Sequence, residues 1–366
     1  MKYIDEYRDP TKAQQLVAQI KCLAHGRRVR LMEFCGGHTH AIGRYGLGRL
    51  LAPEVELLSG PGCPVCVTSA SDLDYAIALA GLPDVLLATF GDMLRVPGSR
   101  GRTLQHARGE GADVRLIYSP LDALALAEAH PERRVVLLGV GFETTAPGMA
   151  ATLLQAEAQG VPNLALLSLH KLTPPAMRAI LGSGEIQLDG VIGPGHVSTV
   201  TGSEAWRFVP DEFGVGVAVS GFEPLDMLQA IYALVQMAVS GEPRVENSYA
   251  RGVQPEGNRA AQALLARCFV VDEGEWRGLG RLPASGLRLA EALRQRDARA
   301  LYDLAVAPAA EPAGCRCGDV LRGALRPEAC PLFGTACTPR NPVGPCMVSA
   351  EGSCAAHYRY AEVAER

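Results

Sequence analysis

The stretch EFCGGHTHAIG, Glu33 to Gly43, brings one cysteine, two glycines and two histidines together between Cys35 and His40. A thiolate beside imidazole is either a soft-metal ligand set or an activated nucleophile. Gly36 and Gly37 would let the backbone approach a ligand or adopt positive φ. His38, nearer the thiol, is the better functional candidate. At least one of His38 and His40 is expected to be an ordinary turn or core residue hydrogen-bonded to backbone.

A second constellation, GPGCPVC, sets Cys63 and Cys66 at C-x-x-C spacing. That spacing suits a vicinal dithiol or disulfide, or half of a zinc site. Pro64 and the helix-like SASDLDYAIAL just after it favour the redox reading, because a helix N-terminus stabilises thiolate. No second C-x-x-C stands at knuckle spacing.

A third lies in the tail, where residues 315–354 hold Cys315, Cys317, Cys330, Cys337, Cys346 and Cys354. Their spacings match neither paired zinc knuckles nor the compact bacterial ferredoxin run. Six thiols exceed the four of a tetrahedral iron or zinc site and leave two for a separate pair. A [4Fe-4S] cluster beside a dithiol would pass electrons to or from disulfides.

Other residues are raised mainly by where they fall. Glu143, Thr144 and Thr145 offer a carboxylate and two hydroxyls at a helix start, where a threonine also reads as a helix cap. His170, Lys171 and His196 look ordinary singly and gain interest from sitting at strand ends. Cys22 and Cys268 lie in apolar contexts away from the motifs and read as structural. Neither a Walker nor a G-x-G-x-x-G pattern occurs, so a nucleotide site has no specific support.

These residues need a scaffold that collects strand ends. Short apolar runs recur: RVRLMEF, VELLSG, DVLLATF and VRLIYS, then VVLLGVGF, NLALLSLH, GVIGPG and GVGVAVSGF. With amphipathic stretches such as SDLDYAIALAG and PLDALALAEAH between them, they indicate βα units building parallel sheets. The fold class is therefore α/β, with two similar doubly wound lobes facing a cleft and a C-terminal Cys-rich domain. Residues 1–130 are assigned to the first lobe, 131–240 to the second and 241–366 to the tail domain, against which the N-terminal segment is expected to pack. Duplication is suggested by GPGCPV against GPGHVS and by GFETT against GFEPL. The stretch ASGLRLAEALRQRDARALYDL reads as helical. Ligands of open parallel sheets bind beyond the carboxyl ends of the strands. CGGHTH, GPGCPVC, GDM, GFETTAPG, SLHKLTPP and GPGHVST all fall there, so facing lobes would bring the six to one cleft.

The bulk properties fit a globular chain: 366 residues, 48% hydrophobic, 20% charged, formal net charge -4. That balance implies no polyanion partner such as nucleic acid. The start, MKYIDEYRDPTKAQQ, lacks the apolar core of a signal peptide, and no later run approaches the roughly 20 apolar residues of a membrane span. A cytoplasmic setting is expected. There the eleven cysteines point to metal, cluster or redox work instead of a disulfide framework.

The ordered set CGGHTH, GPGCPVC, GFETTAPG, GPGHVS and the six-cysteine tail, spread over essentially the whole chain, resembles the HypD family of [NiFe]-hydrogenase maturation factors. The resemblance implies a three-domain α/β protein that complexes the small chaperone HypC. It also implies a scaffold for the Fe(CN)2CO group, taking cyanide from HypE, which HypF supplies. On this reading Cys35 ligates the iron with a cysteine of HypC, His38 stands beside it, and Cys63 and Cys66 are the cleft dithiol. Glu143, Thr144 and His196 join them as catalytic candidates. The family's C-x14-C-x6-C-x16-C pattern falls on Cys315, Cys330, Cys337 and Cys354 as [4Fe-4S] ligands, leaving Cys317 and Cys346 as a redox pair. A monomer binding its partners one to one is expected. Two other classes remain open: a cluster-linked thiol-disulfide oxidoreductase, which needs Cys63 and Cys66 but not Cys35, and a zinc-stabilised binding module.

Overall fold

The computed structural model of the chain describes residues 5–307 and 310–364. All eight expected runs are strands: β1 Val29–Glu33, β2 Val55–Ser59, β3 Val85–Thr89, β4 Val114–Leu116, β5 Arg134–Gly139, β6 Leu164–Ser168, β7 Gly190–Gly193 and β8 Gly216–Val219. Three more follow, β9 Val245–Asn247, β10 Phe269–Trp276 and β11 Gly280–Leu289. They form a five-stranded sheet in the order β2-β1-β7-β8-β9 and a four-stranded sheet in the order β4-β3-β5-β6. Every pairing in these two sheets is parallel. β10 and β11 make a separate antiparallel ribbon.

Both parallel sheets bury side chains on both faces, as their largely apolar inner strands require. In the four-stranded sheet Leu87, Val136, Leu138, Ala165 and Leu167 point into one core and Leu86, Ala88, Val135, Leu137 and Leu166 into another. In the five-stranded sheet Leu31, Ile192 and Ala218 face one core while Met32, Val191 and Val217 face the other. All of these are at most 1% exposed, and burying a leucine, isoleucine or valine side chain contributes about 1.5–3 kcal/mol. A one-residue slip would exchange the two cores of each sheet.

The lobes do not divide where the sequence suggests. Strands from both sides of residue 130 mix: β7 and β8 join β1 and β2, while β5 and β6 join β3 and β4. The expected boundary instead falls between the helix Pro120–Ala129 and β5, inside the four-stranded lobe. The physical reason is that every βα unit here carries the same apolar signature, so composition marks a strand without marking its sheet. The chain leaves the five-stranded sheet after β2, builds the whole four-stranded lobe, and returns at β7.

Two further expectations are revised. The N-terminal helix Pro10–Ala24 packs on the helix Pro224–Ser240 of the five-stranded lobe instead of on the tail, with Ile20 and Ala24 buried among Leu228, Ile231 and Leu234. Its start is fixed by Pro10 and by Asp9, which accepts from the amides of Thr11 and Lys12. The stretch ASGLRLAEALRQRDARALYDL is not one helix. Its first part lies in β11 and the rest makes a 3-10 turn, Glu291–Arg296, and a short helix, Ala298–Leu301. Leu287 and Leu289 alternate with exposed Arg288 there, a period of two that wins over helix propensity once β10 supplies the ladder.

Among the described residues no helix is long and apolar enough to cross a membrane.

Candidate functional site

In each sheet the chain places its second strand on one side of the first and then turns back to the other side. The crevice beyond the carboxyl ends at that reversal is where open sheets bind ligands. In the five-stranded sheet it lies between β1 and β7, which lead into Cys35 and His196 respectively. In the four-stranded sheet it lies between β3 and β5, leading into Asp92 and Glu143.

Cys35 is 6% exposed and starts the helix Gly36–Arg44 in extended conformation. Its amide donates to Glu33 Oε2 at 2.7 Å, and the Thr39 hydroxyl donates to the other Glu33 oxygen. Burial lifts the Glu33 carboxyl to about 7 against these hydrogen bonds. Burial, aided by the Glu33 charge, also pushes the Cys35 thiol up to about 12. The resting sulfur therefore carries its proton. Gly62 of GPGCPVC explains the close approach of the two motifs: the Gly36 amide donates to the Gly62 carbonyl at 3.0 Å, and a Cβ on Gly62 would run into the Phe34–Cys35 backbone.

His196 Nδ1 lies 3.7 Å from Cys35 Sγ. The ring stands open to solvent on one side, and the desolvation of its inner part lowers its pKa. A protonated thiol facing a neutral imidazole can donate an S–H···N hydrogen bond when Nδ1 is the bare nitrogen of the ring. His38 is fully buried and burial lowers it to about 4. Its Nε2 meets the Ser220 carbonyl at 3.1 Å. A carbonyl can only accept, so Nε2 holds the hydrogen and Nδ1 is a bare acceptor, with no protein partner. His40 turns the other way, its Nε2 2.8 Å from the Tyr360 hydroxyl, and is the packing residue of the two.

Cys63 and Cys66 are joined in a disulfide. Cys63 caps the short helix Pro64–Val67, its sulfur accepting from the Cys66 amide at 3.2 Å. Cys66 Sγ lies 4.0 Å from the carbonyl oxygen of Pro345, the residue before Cys346. Phe34, Cys63, Cys66, Phe142, Val197, Trp276, Cys346 and Met347 all belong to one buried cluster. Both lobes, the ribbon and the tail therefore meet beside the disulfide.

All six tail cysteines line a single small cavity with Leu332, Phe333 and Met347. Cys317 and Cys346 sulfurs are 2.7 Å apart. Burial raises Cys315 to about 12 and also raises Cys337, and neighbouring thiols push both further. A hydrogen bond shared with Cys346 lowers Cys317 and raises Cys346. The Val343 amide points at Cys337 Sγ at 3.3 Å. Among the described residues no three His, Cys, Asp or Glu side chains form a ready single-ion site. A cavity walled by six thiols, roofed by apolar side chains and approached by a backbone amide has the donor chemistry a [4Fe-4S] cluster requires.

The remaining candidates fall outside the Cys35 crevice. Glu143 is 3% exposed, lifted by burial to about 7, and accepts from the Thr173 amide and hydroxyl at 2.8 and 3.0 Å. Thr144 is half-buried beside it, and Thr145 turns its hydroxyl to the Phe142 carbonyl at 3.2 Å instead of capping the next helix. His170 and Lys171 line a separate open pocket, with Lys171 Nζ paired to Asp72 at 3.2 Å. Cys268 is fully buried, whereas Cys22 is exposed.

Four residues near Cys35 escape the sequence reading. Glu33 had a signal, being a carboxylate inside an apolar strand. Phe222 hid inside GFEPL, read only as an echo of GFETT. Glu351, exposed yet close against Gly36, its carboxyl raised by desolvation and by the Asp92 charge, comes from the tail and had none. Asp92 lies in GDM, noted only as a strand end.

A family model named HypD and described as "Hydrogenase formation hypA family" matches residues 11–361. The hydrogenase maturation factor HypD of Azotobacter vinelandii is 51% identical, covering 98% of this chain and 97% of its own length. That of Rhizobium leguminosarum bv. viciae is 49% identical over 100% and 97%. That of Escherichia coli K12 is 44% identical over 98% of each.

Proposed function

The chain belongs to the HypD family, and from that premise we propose that it serves hydrogenase maturation as the scaffold on which the Fe(CN)2CO group is assembled, in complex with HypC and with cyanide received from HypE. The observation that carries the reading is the Cys35 thiol, set at the reversal point of the five-stranded sheet with His196 Nδ1 at 3.7 Å and the Cys63–Cys66 disulfide close by.

Cys35 is the protein ligand for the iron cargo, and thiolate is the soft donor that low-spin Fe(II) bearing cyanide and carbonyl favours. To bind, the thiol must lose its proton, and the imidazole nitrogen it faces is the acceptor at hand. His38, stacked on Phe222 in the buried wall beside it, keeps a bare Nδ1. Glu143, held by Thr173, fixes the facing loop of the other lobe, with Thr144 at its surface.

Cys315, Cys330, Cys337 and Cys354 would hold the [4Fe-4S] cluster, whose chemistry when bound is one-electron transfer. Cys317 and Cys346 are then free to act as a dithiol. Exchange between that pair and the Cys63–Cys66 disulfide conserves electrons and protons: one disulfide opens to two thiols as the other closes. The Cys66–Pro345 contact brings the two pairs into the same neighbourhood.

The test is iron, zinc and acid-labile sulfide content of the anaerobically purified protein, with Mössbauer and infrared spectra of its complex with HypC. Iron with sulfide, plus cyanide and carbonyl stretches that vanish in Cys35→Ala, are the expected results. Zinc without sulfide, and no diatomic stretches, would sink the scaffold. Maturation that survives Cys35→Ala but not Cys63→Ala would instead favour a thiol-disulfide oxidoreductase.

A further inference from the structure

Phe222 follows β8 and is only half-buried, so it is not core filler. Its ring stacks on His38, centroids 4.9 Å apart and planes at 29°, and on His196, at 4.0 Å and 25°. The Tyr249 ring meets it edge-on at 6.2 Å. The slot it fills is cut by glycines of both motifs. A Cβ on Gly37 would come within 2.8 Å of Phe222 Cε1, and one on Gly195 would reach Cζ at 3.1 Å and collide with the Ser220 carbonyl. The bare residues of CGGH and GPGH thus make room for a ring that comes from a third loop.

His196 starts the exposed end of the helix Gly195–Thr201, where a side chain ordinarily exchanges among staggered rotamers. Its ring has two neighbours that could stop this, the Cys35 sulfur and the Phe222 face. A single S–H···N contact at 3.7 Å is a weak restraint, whereas an offset aromatic stack adds a preferred plane.

We propose that Phe222 is the positioning residue of the site: its ring holds the stacked His196 imidazole with Nδ1 turned to the Cys35 thiol, while the second stack, on buried His38, keeps the ring from rotating away. The inference rests on the role of Cys35 given above, and it concerns residues of this chain alone. Phe222 touches no cargo and acts through His196.

The test uses the full-length chain with 15N-labelled histidine, comparing Phe222→Leu, Phe222→Tyr, His196→Gln and the Phe222→Leu/His196→Gln pair. Two quantities are read: the ring-nitrogen resonances of His196 and the rate of iodoacetamide alkylation at Cys35, followed on its peptide by mass spectrometry. Phe222→Leu keeps apolar bulk without a flat face. It is expected to move the His196 resonances toward the tautomer average and to slow Cys35 alkylation roughly twofold to tenfold, the span an aromatic pair corresponds to. Phe222→Tyr should restore both, and the double variant should react no more slowly than His196→Gln. Parental resonances and rate in Phe222→Leu would overturn the proposal, and so would an equal further loss in the double variant. If Phe222→Leu does not fold, Phe222→Met takes its place with the same expected results. Neither readout needs iron, HypC or hydrogenase, so a failure here is distinct from Cys35→Ala proving silent in maturation.

Discussion

The two parallel sheets share one strand order up to the extra strand β9, yet their reversal crevices are built for different ends. In the four-stranded sheet the crevice residue Glu143 is sealed, both oxygens engaged by Thr173. In the five-stranded sheet the crevice holds a protonated thiol, an exposed imidazole and an imidazole nitrogen with no protein partner. A satisfied polar group contributes to the fold and has nothing left to offer a ligand. An unsatisfied one costs stability and keeps its capacity to bind. Topology thus makes two equivalent places, and hydrogen-bond accounting separates them: His38 Nδ1 is left bare beside one, whereas both Glu143 oxygens are engaged in the other.

The sharpest way to break this contrast is functional. Cys35→Ala should abolish hydrogenase maturation in cells lacking the native protein, whereas Glu143→Gln, which keeps shape and one acceptor, should retain a measurable part of it. Equal losses, read as hydrogenase activity at equal protein level, would mean that both crevices take part in chemistry. Next in size is Gly62→Ala, which drives a methyl into the Phe34–Cys35 backbone. It should cost roughly 1–3 kcal/mol or more in urea unfolding; a change under about 0.5 kcal/mol would show that the motif glycines are not needed for close approach.

A subtler difference lies in pH. The Glu143 carboxyl has its folded pKa raised by burial from 4.5 to about 7. Its proton is held more tightly in the folded chain, so its contribution to stability is full below 4.5 and is lost as pH rises through 7. Glu143→Gln should remove that loss. The gap between variant and parent in urea midpoint should move in the variant's favour from about pH 4.5 to pH 8, and a constant gap would contradict the assignment. The smallest effect is expected at Cys268→Ala, which trims a fully buried side chain far from either crevice. It should cost about 1 kcal/mol and leave maturation intact; a folded but inactive variant would give Cys268 a role it is not assigned here.

How much of this was legible in the residues depended on what kind of information each feature needs. The eight strands of the two lobes announce themselves because an unbroken apolar run of that length, closed by glycine, has few other uses. Their sheet membership does not, since Leu31 and Leu87 lie in equally apolar contexts and only three-dimensional packing separates them. β11 was masked by the Ala, Leu and Arg that suit a helix equally well, and its partner β10 is short on apolar residues. Cys35, Cys63, Cys66 and the tail thiols could be picked out by type and spacing. The contact between Cys35 and His196 could be anticipated only as shared strand-end placement, and Phe222 not at all, because its role is a matter of which two rings it stacks against.

The excursion of the chain through the four-stranded lobe has a consequence for how the site comes into being. Cys35 and His196 are 161 residues apart, and the whole inserted lobe is synthesised between them. A ribosome adds about 5–20 residues per second, so the reactive thiol waits on the order of ten seconds or more for its imidazole. The four strands of the inserted lobe are continuous in sequence and can pair during that wait, although its two cores are completed later by Phe269, Leu287, Leu289 and Ala298, while β1 and β2 cannot complete their sheet until β7 emerges. The crevice that would take the iron therefore exists only once the inserted lobe has been made, and through that interval the order of translation keeps Cys35 apart from its imidazole.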